Sequence, residues 1–226
     1  MKSLQRVMIL AGAALLPAGE ACAETWTAEG DIAAVSDYRY RGVSFTDRDP
    51  ALQGELTISI PSGFYAYGWV SSIRYGDDIE LMGALGWSGE IGGGFSLDAG
   101  GGAYAYPGLA DSSLFELYGD FAHPAGPATL KAGVGYMPEQ DNLGSQDNLY
   151  LYGGVTAPLG FAGVTADATL GWEDGALADD KVDWTAGVTV PLKPLELRLA
   201  YVGANVDGDH NADDTALAEL RYKFKF

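Results

Sequence analysis

Charged residues recur at every second position near the start of the chain. Asp37, Arg39 and Arg41 continue the parity of Glu29 and Asp31. Alternate residues of an extended chain share one face, so these side chains line up on one side of a strand. Asp47 and Asp49 follow across a short loop. Such a cluster can form a charged constriction that screens ions or holds an anionic group. It can equally form cross-strand ion pairs that only fix the loop.

The same parity recurs along the chain. Glu55, Glu80, Asp98, Glu116, Asp120, Asp167, Asp183, Glu196 and Glu219 fall on the polar side of their segments, against the bases Lys131, Arg198, Arg221, Lys223 and Lys225. If that side faces an enclosed lumen, the low-dielectric wall focuses the field and favours cations. The alternative is an interior filled by ion pairs and tyrosines, with no continuous path. The candidate pore-lining set is Glu29, Asp31, Asp37, Arg39, Arg41, Glu55, Glu80, Asp98, Glu116, Asp120, Asp167, Glu219 and Arg221.

Two further chemistries are weaker. Asp207, Asp209, Asn211 and Asp213 place oxygens at alternate positions, like part of a calcium loop. The sixth position is Ala212 rather than glycine and the twelfth is Ala218 rather than glutamate, so a solvated loop or a weak cation site are the readings. Some barrel enzymes hydrolyse lipids with a Ser-His pair. Here His123 lies in an expected turn and His210 in an acidic loop, and neither has an evident serine partner. No enzyme and no cofactor is expected. Gly92-Gly93-Gly94 and Gly100-Gly101-Gly102 are not phosphate loops, because no helix follows. They read as curvature and turns.

These side chains must be positioned by strands. Leu217 to Phe226 alternates strictly, with Leu220, Tyr222, Phe224 and Phe226 on one face and Glu219, Arg221, Lys223 and Lys225 on the other. A soluble sheet would leave that greasy edge exposed. A membrane barrel pairs it with the first strand and closes the sheet. Similar segments start at Trp26 to Arg41, Ala51 to Ile60 and Phe64 to Ile73, where the facing of the aromatics is ambiguous. They continue to Leu195 to Ala204, giving about twelve strands of membrane-crossing length. Short turns rich in Pro and Gly alternate with longer acidic loops, including Glu173 to Lys181. Two aromatic belts are expected, Trp26, Trp87, Phe121, Phe224 and Phe226 at one rim and Tyr38, Tyr40, Tyr136, Trp172, Trp184 and Tyr201 at the other. The fold class is all-β, a closed antiparallel transmembrane β-barrel. A soluble β-sandwich or lipocalin-like barrel is the alternative.

Composition agrees. Lys2 and Arg6, the apolar Val7 to Leu16 and the small residues Ala21-Cys22-Ala23 read as a signal peptide over residues 1–23, leaving a barrel domain over 24–226. Cys22 also permits a lipoprotein reading, which Glu20 fits poorly. With ordinary cleavage the only cysteine is lost. A net charge of -18 speaks against nucleic acid.

Val35-Ser36-Asp37-Tyr38-Arg39-Tyr40-Arg41-Gly42-Val43-Ser44, followed by Pro50-Ala51-Leu52-Gln53-Gly54, resembles the opening motif of the TorF family of porins, of the Gcw_chp type. Tyr104-Ala105-Tyr106-Pro107-Gly108 and Phe115-Glu116-Leu117-Tyr118 resemble its middle motifs more loosely. The resemblance implies an outer-membrane barrel and carries over no site residues.

Together these readings describe a bacterial outer-membrane barrel with both termini periplasmic. It would pass small hydrophilic solutes or ions by diffusion, with a cation preference. Its expected surroundings are outer-membrane lipid and lipopolysaccharide, and barrel-assembly machinery reading Phe226. The other function is a closed barrel that binds a ligand or partner through acidic outer loops.

Overall fold

A computed structural model of the protein describes residues 26–74 and 76–226. The expected signal peptide lies outside the described residues. The strands are β1 (Thr27–Val35), β2 (Arg39–Tyr40), β3 (Val43–Ser44), β4 (Ala51–Ser59), β5 (Phe64–Ser72), β6 (Ile79–Gly92), β7 (Phe95–Ala105), β8 (Leu114–Ala125), β9 (Ala128–Gln140), β10 (Gln146–Pro158), β11 (Thr165–Gly175), β12 (Ala178–Leu192), β13 (Leu195–Ala204) and β14 (Thr215–Lys225). All except β2 and β3 form one closed antiparallel barrel of twelve strands, in which β14 pairs with β1 and β1 with β4. The sheet has no edge, so the sandwich alternative is excluded.

Alternation explains the closure. Leu52, Leu56, Ile58, Leu81, Leu85, Leu130, Leu151, Leu170, Leu199 and Leu220 face outward and are exposed, while Asp31, Glu80, Asp98, Glu116, Asp120 and Asp183 face inward and are buried. The apolar face is thus the outside of the barrel, which also excludes a lipocalin-like core. Such a band fits a hydrocarbon surrounding and no other solvent. Strand β5 resolves the same way. Phe64 and Val70 point out, and Tyr65, Tyr67 and Ser71 point in.

The two ends differ. Short turns join β4 to β5, β6 to β7, β8 to β9, β10 to β11 and β12 to β13, and both β1 and β14 meet at that end. Trp26, Phe64, Phe95, Phe121, Phe161 and Phe226 ring it, all exposed. The other end carries the connection between β1 and β4 and the acidic loop between β13 and β14.

Three expectations change. The first strand stops at Val35, not Arg41, because the chain turns inward there to form the β2–β3 hairpin. Tyr38 and Tyr40 are consequently buried inside the barrel rather than standing in an outer belt. The polar stretch from Glu173 to Lys181 is no long loop. Strands β11 and β12 run on until only Ala176 and Leu177 separate them.

Inward glycines have a packing role as well. A Cβ at Gly86, Gly100, Gly133 or Gly171 would run into Tyr65, Tyr118, Tyr152 or Tyr150 respectively. Each of these tyrosines lies flat across a neighbouring strand, in the space its glycine leaves open.

Candidate functional site: the lumen and its inward strap

Residues 36–50, here called the strap, enter the loop end of the barrel. Arg41 and Gly42 turn the hairpin, with φ of 47° and 84°. Two positive φ values are the signature of the tight turn whose twist matches a hairpin. Gly42 meets a second demand, since a Cβ there would collide with the Gly203 carbonyl. At the root of the hairpin the Asp37 carboxylate accepts hydrogen bonds from Arg39 Nε at 2.6 Å and Ser44 Oγ at 2.6 Å. Arg39 also donates to the carbonyls of Gly42 at 2.9 Å and Asp213 at 2.7 Å. Burial pushes the Tyr38 and Tyr40 hydroxyls well above their ordinary range, which keeps them neutral.

Arg41 reaches the far wall. Its guanidinium pairs with Glu116 on β8 at 2.6 Å and with Glu173 on β11, and stacks 3.8 Å from the Tyr150 ring centroid. Lys181 on β12 pairs with Glu173 at 2.5 Å and donates to the Arg41 carbonyl at 2.9 Å. Arg41 is 1% exposed, as is Tyr104, and Met137 is 0% exposed. The strap and these side chains pack together in the loop half of the lumen. Beside Arg41 lies a cavity of about 40 Å³, bounded by Tyr104, Glu116, Tyr118, Asp120 and Tyr152, with room for a few waters.

Glu173 and Lys181 carry half of this junction, at positions whose polar sequence alone reads as a loop. Parity was the usable signal, since Glu173 continues Asp167 and Lys181 leads into Asp183. The expected pairing of Asp47 and Asp49 with the strap arginines does not form. Asp49 instead faces Arg74 at 2.6 Å, at the exposed rim.

The remaining inward residues fall into two groups. Towards the turn end, acids meet bases. Arg221 joins Asp31 and, at 2.7 Å, Glu219, with Glu55 4.0 Å away. Arg198 pairs with Asp167 at 2.6 Å, Lys223 with Glu196 at 2.6 Å, and Lys225 with Glu29. Along the wall from β4 to β8, acids meet tyrosines. Tyr67 donates to Glu55 at 3.0 Å, Tyr65 to Asp98 at 2.5 Å, Tyr106 to Glu80 at 2.6 Å and Tyr104 to Glu116 at 2.8 Å. Tyr152 donates to Asp120, and Tyr150 to Asp183 at 3.1 Å.

The acidic loop does not gather its oxygens around one point. Asp209 accepts the Asn211 backbone N–H at 2.9 Å, and Asp213 lies 2.9 Å from His210 and 3.7 Å from Arg48. Among the described residues no group of three or more His, Cys, Asp or Glu side chains could hold a metal ion. His123 packs on Phe95, with ring centroids 4.3 Å apart.

A closed twelve-stranded barrel, apolar outside and ionisable inside, is the architecture of porins. The solved KdgM porin superimposes with a TM-score of 0.58 at 8% identity, covering 88% of this chain and 99% of that one. The NanC porin gives 0.53 at 10%, covering 88% and 98%. At these identities the likeness is one of fold. By sequence, the chain belongs to the Gcw_chp family, bacterial proteins of unknown function, which it matches over residues 19–222. No curated protein matches it.

Proposed function

We propose that the protein is an outer-membrane, porin-like channel that passes small hydrophilic solutes by diffusion and prefers cations. The observation that carries this is the closed barrel itself, with an exposed apolar exterior and an inner wall of carboxylates. Cation preference follows from the inward charges, among which carboxylates outnumber bases. The wall therefore keeps a negative potential inside a low-dielectric shell. The pore-lining residues are those of the original set, with Glu173 and Lys181 added. Both termini face the periplasm in this reading, since short turns gather at that side of bacterial barrels. The narrower TorF assignment rests on the opening motif, and recognition by assembly machinery on Phe226. No catalytic role is assigned.

Planar-bilayer conductance under a salt gradient tests this. Discrete steps with a cation-selective reversal potential are expected. Silence from folded, inserted protein that persists when the strap is released would sink the channel reading. It would favour the second reading, a closed barrel acting through its acidic outer loops, for which the packed loop half of the lumen speaks.

A further inference from the structure

We infer that the strap, residues 36–50, is the constriction of this pore, and that Arg41 is both its latch and the charge that limits its cation preference. The inference rests on the channel reading above. Three observations carry it.

The first is position. The strap leaves from β1 and returns to β4, which are neighbours in the barrel, yet Arg41 binds β8 and β11 and its carbonyl is held from β12. In a ring of twelve strands β8 and β11 flank the point opposite the β1–β4 junction, and β12 lies next to β11. The hairpin therefore crosses the lumen instead of lying along one side.

The second is conformation. Arg41 occupies a positive φ that favours Asn, Asp or Gly. An arginine there is conformationally unfavourable and persists because its surroundings over-determine it. What holds it is a buried guanidinium between two carboxylates, on the ring of Tyr150. The side chain is kept at a backbone cost, so its charge and reach are the features the turn serves.

The third is electrostatics. With Arg41 removed, Glu116 and Glu173 would stay buried with Lys181 as the nearby base. Uncompensated buried charge is strongly unfavourable, and the groups relax towards water. The tip of the hairpin would lose its side-chain hold on the far wall, keeping only the Lys181 bond to its carbonyl, while its rim attachments remained. Those are Arg39 on the Asp213 carbonyl and the Arg74 amide on the Phe45 carbonyl, at 2.7 and 3.0 Å. The mouth would become wider and more negative.

The test uses the full chain purified from membranes, with folding checked by heat-modifiable gel mobility. Arg41→Asn suits the turn better than the native residue while deleting the latch. It should raise single-channel conductance severalfold and shift the reversal potential further towards cation selectivity. Glu116→Gln with Glu173→Gln removes the other half of the latch. It should also raise conductance, but move selectivity away from cations. If the unmodified protein is silent and the variants conduct, the strap is a complete plug and the inference stands. Conductance and selectivity unchanged in folded Arg41→Asn would overturn the strap's role and leave the channel reading intact. Should Arg41→Asn not fold, the glutamine pair decides by the same conductance criterion. Silence from the native protein and every inserted variant would end the channel reading, and the strap inference with it.

Discussion

Gly133 and Gly153 sit one strand apart and face opposite sides of the wall. A Cβ at Gly133 would strike the Tyr152 ring and the Asp120 carboxylate, whereas at Gly153 the nearest atom is a carbonyl oxygen at 3.9 Å. The Tyr152 hydroxyl is bonded to Asp120, so the ring cannot swing away without breaking that half-buried contact. Gly133→Ala should therefore destabilise the barrel by about 1–3 kcal/mol, the usual cost of overpacking. Gly153→Ala should cost much less. Urea unfolding midpoints in detergent measure both, and equal effects would refute the packing account. None of this was legible in the sequence. Glycine clusters suggested turns and curvature because composition cannot tell which strand lies opposite a tyrosine. Only register pairs Tyr65 with Gly86 or Tyr118 with Gly100. By contrast the charged lining was legible at once, since parity alone put Glu116 and Asp120, or Glu219 and Arg221, on one side.

The strands were readable as elements because nearly every one keeps its apolar residues on one face. Strand β5 resisted because aromatics occupy both of its faces, tyrosines inward to bind acids and Phe64 outward to face lipid. The strap misled for a different reason. Asp37, Arg39 and Arg41 alternate as strand residues do, but only Arg39 lies in a strand, that of a separate hairpin inside the barrel, with Asp37 before it and Arg41 in its turn. Periodicity reports local conformation and says nothing about which wall an element joins. The signal that the chain turns was Arg41-Gly42, a pair whose first residue is unusual for such a turn. The facing itself is testable. Leu56→Lys, Leu85→Lys and Val188→Lys place charge on the lipid side, where a mid-bilayer lysine costs about 2–4 kcal/mol. They should sharply lower the amount of folded barrel recovered from outer membranes. Thr57→Lys and Thr189→Lys point inward and should be tolerated. The opposite ranking in a membrane-fractionation assay would invert the register.

For the whole molecule, closure decides what the charges can do. The last strand meets the first through Lys225 with Glu29, Arg221 with Asp31, and the Phe226 amide on the Ala28 carbonyl at 2.9 Å. That seam turns an acidic chain into an enclosed acidic wall, and enclosure makes a modest charge excess count. Towards the turn end, Arg198, Arg221, Lys223 and Lys225 each lie against a carboxylate, and Arg221 is shared by Asp31, Glu219 and, at 4.0 Å, Glu55. From β4 to β8, Glu55, Glu80, Asp98 and Glu116 also accept from tyrosine hydroxyls, and Glu116 pairs with Arg41 as well. A selectivity of this origin is a field effect, not a fitted binding site, and it must be screened by salt. The Debye length falls from about 10 Å at 0.1 M to about 3 Å at 1 M ionic strength. Across a lumen wider than the shorter length, the wall no longer governs ions near the axis. The cation-to-anion permeability ratio should thus be well above unity in dilute potassium chloride and fall towards unity in molar salt. Reversal potentials at a fixed concentration ratio, taken at both ionic strengths, measure it. A ratio that holds in molar salt would instead mean discrete cation sites along the path, with the distributed wall charge playing little part.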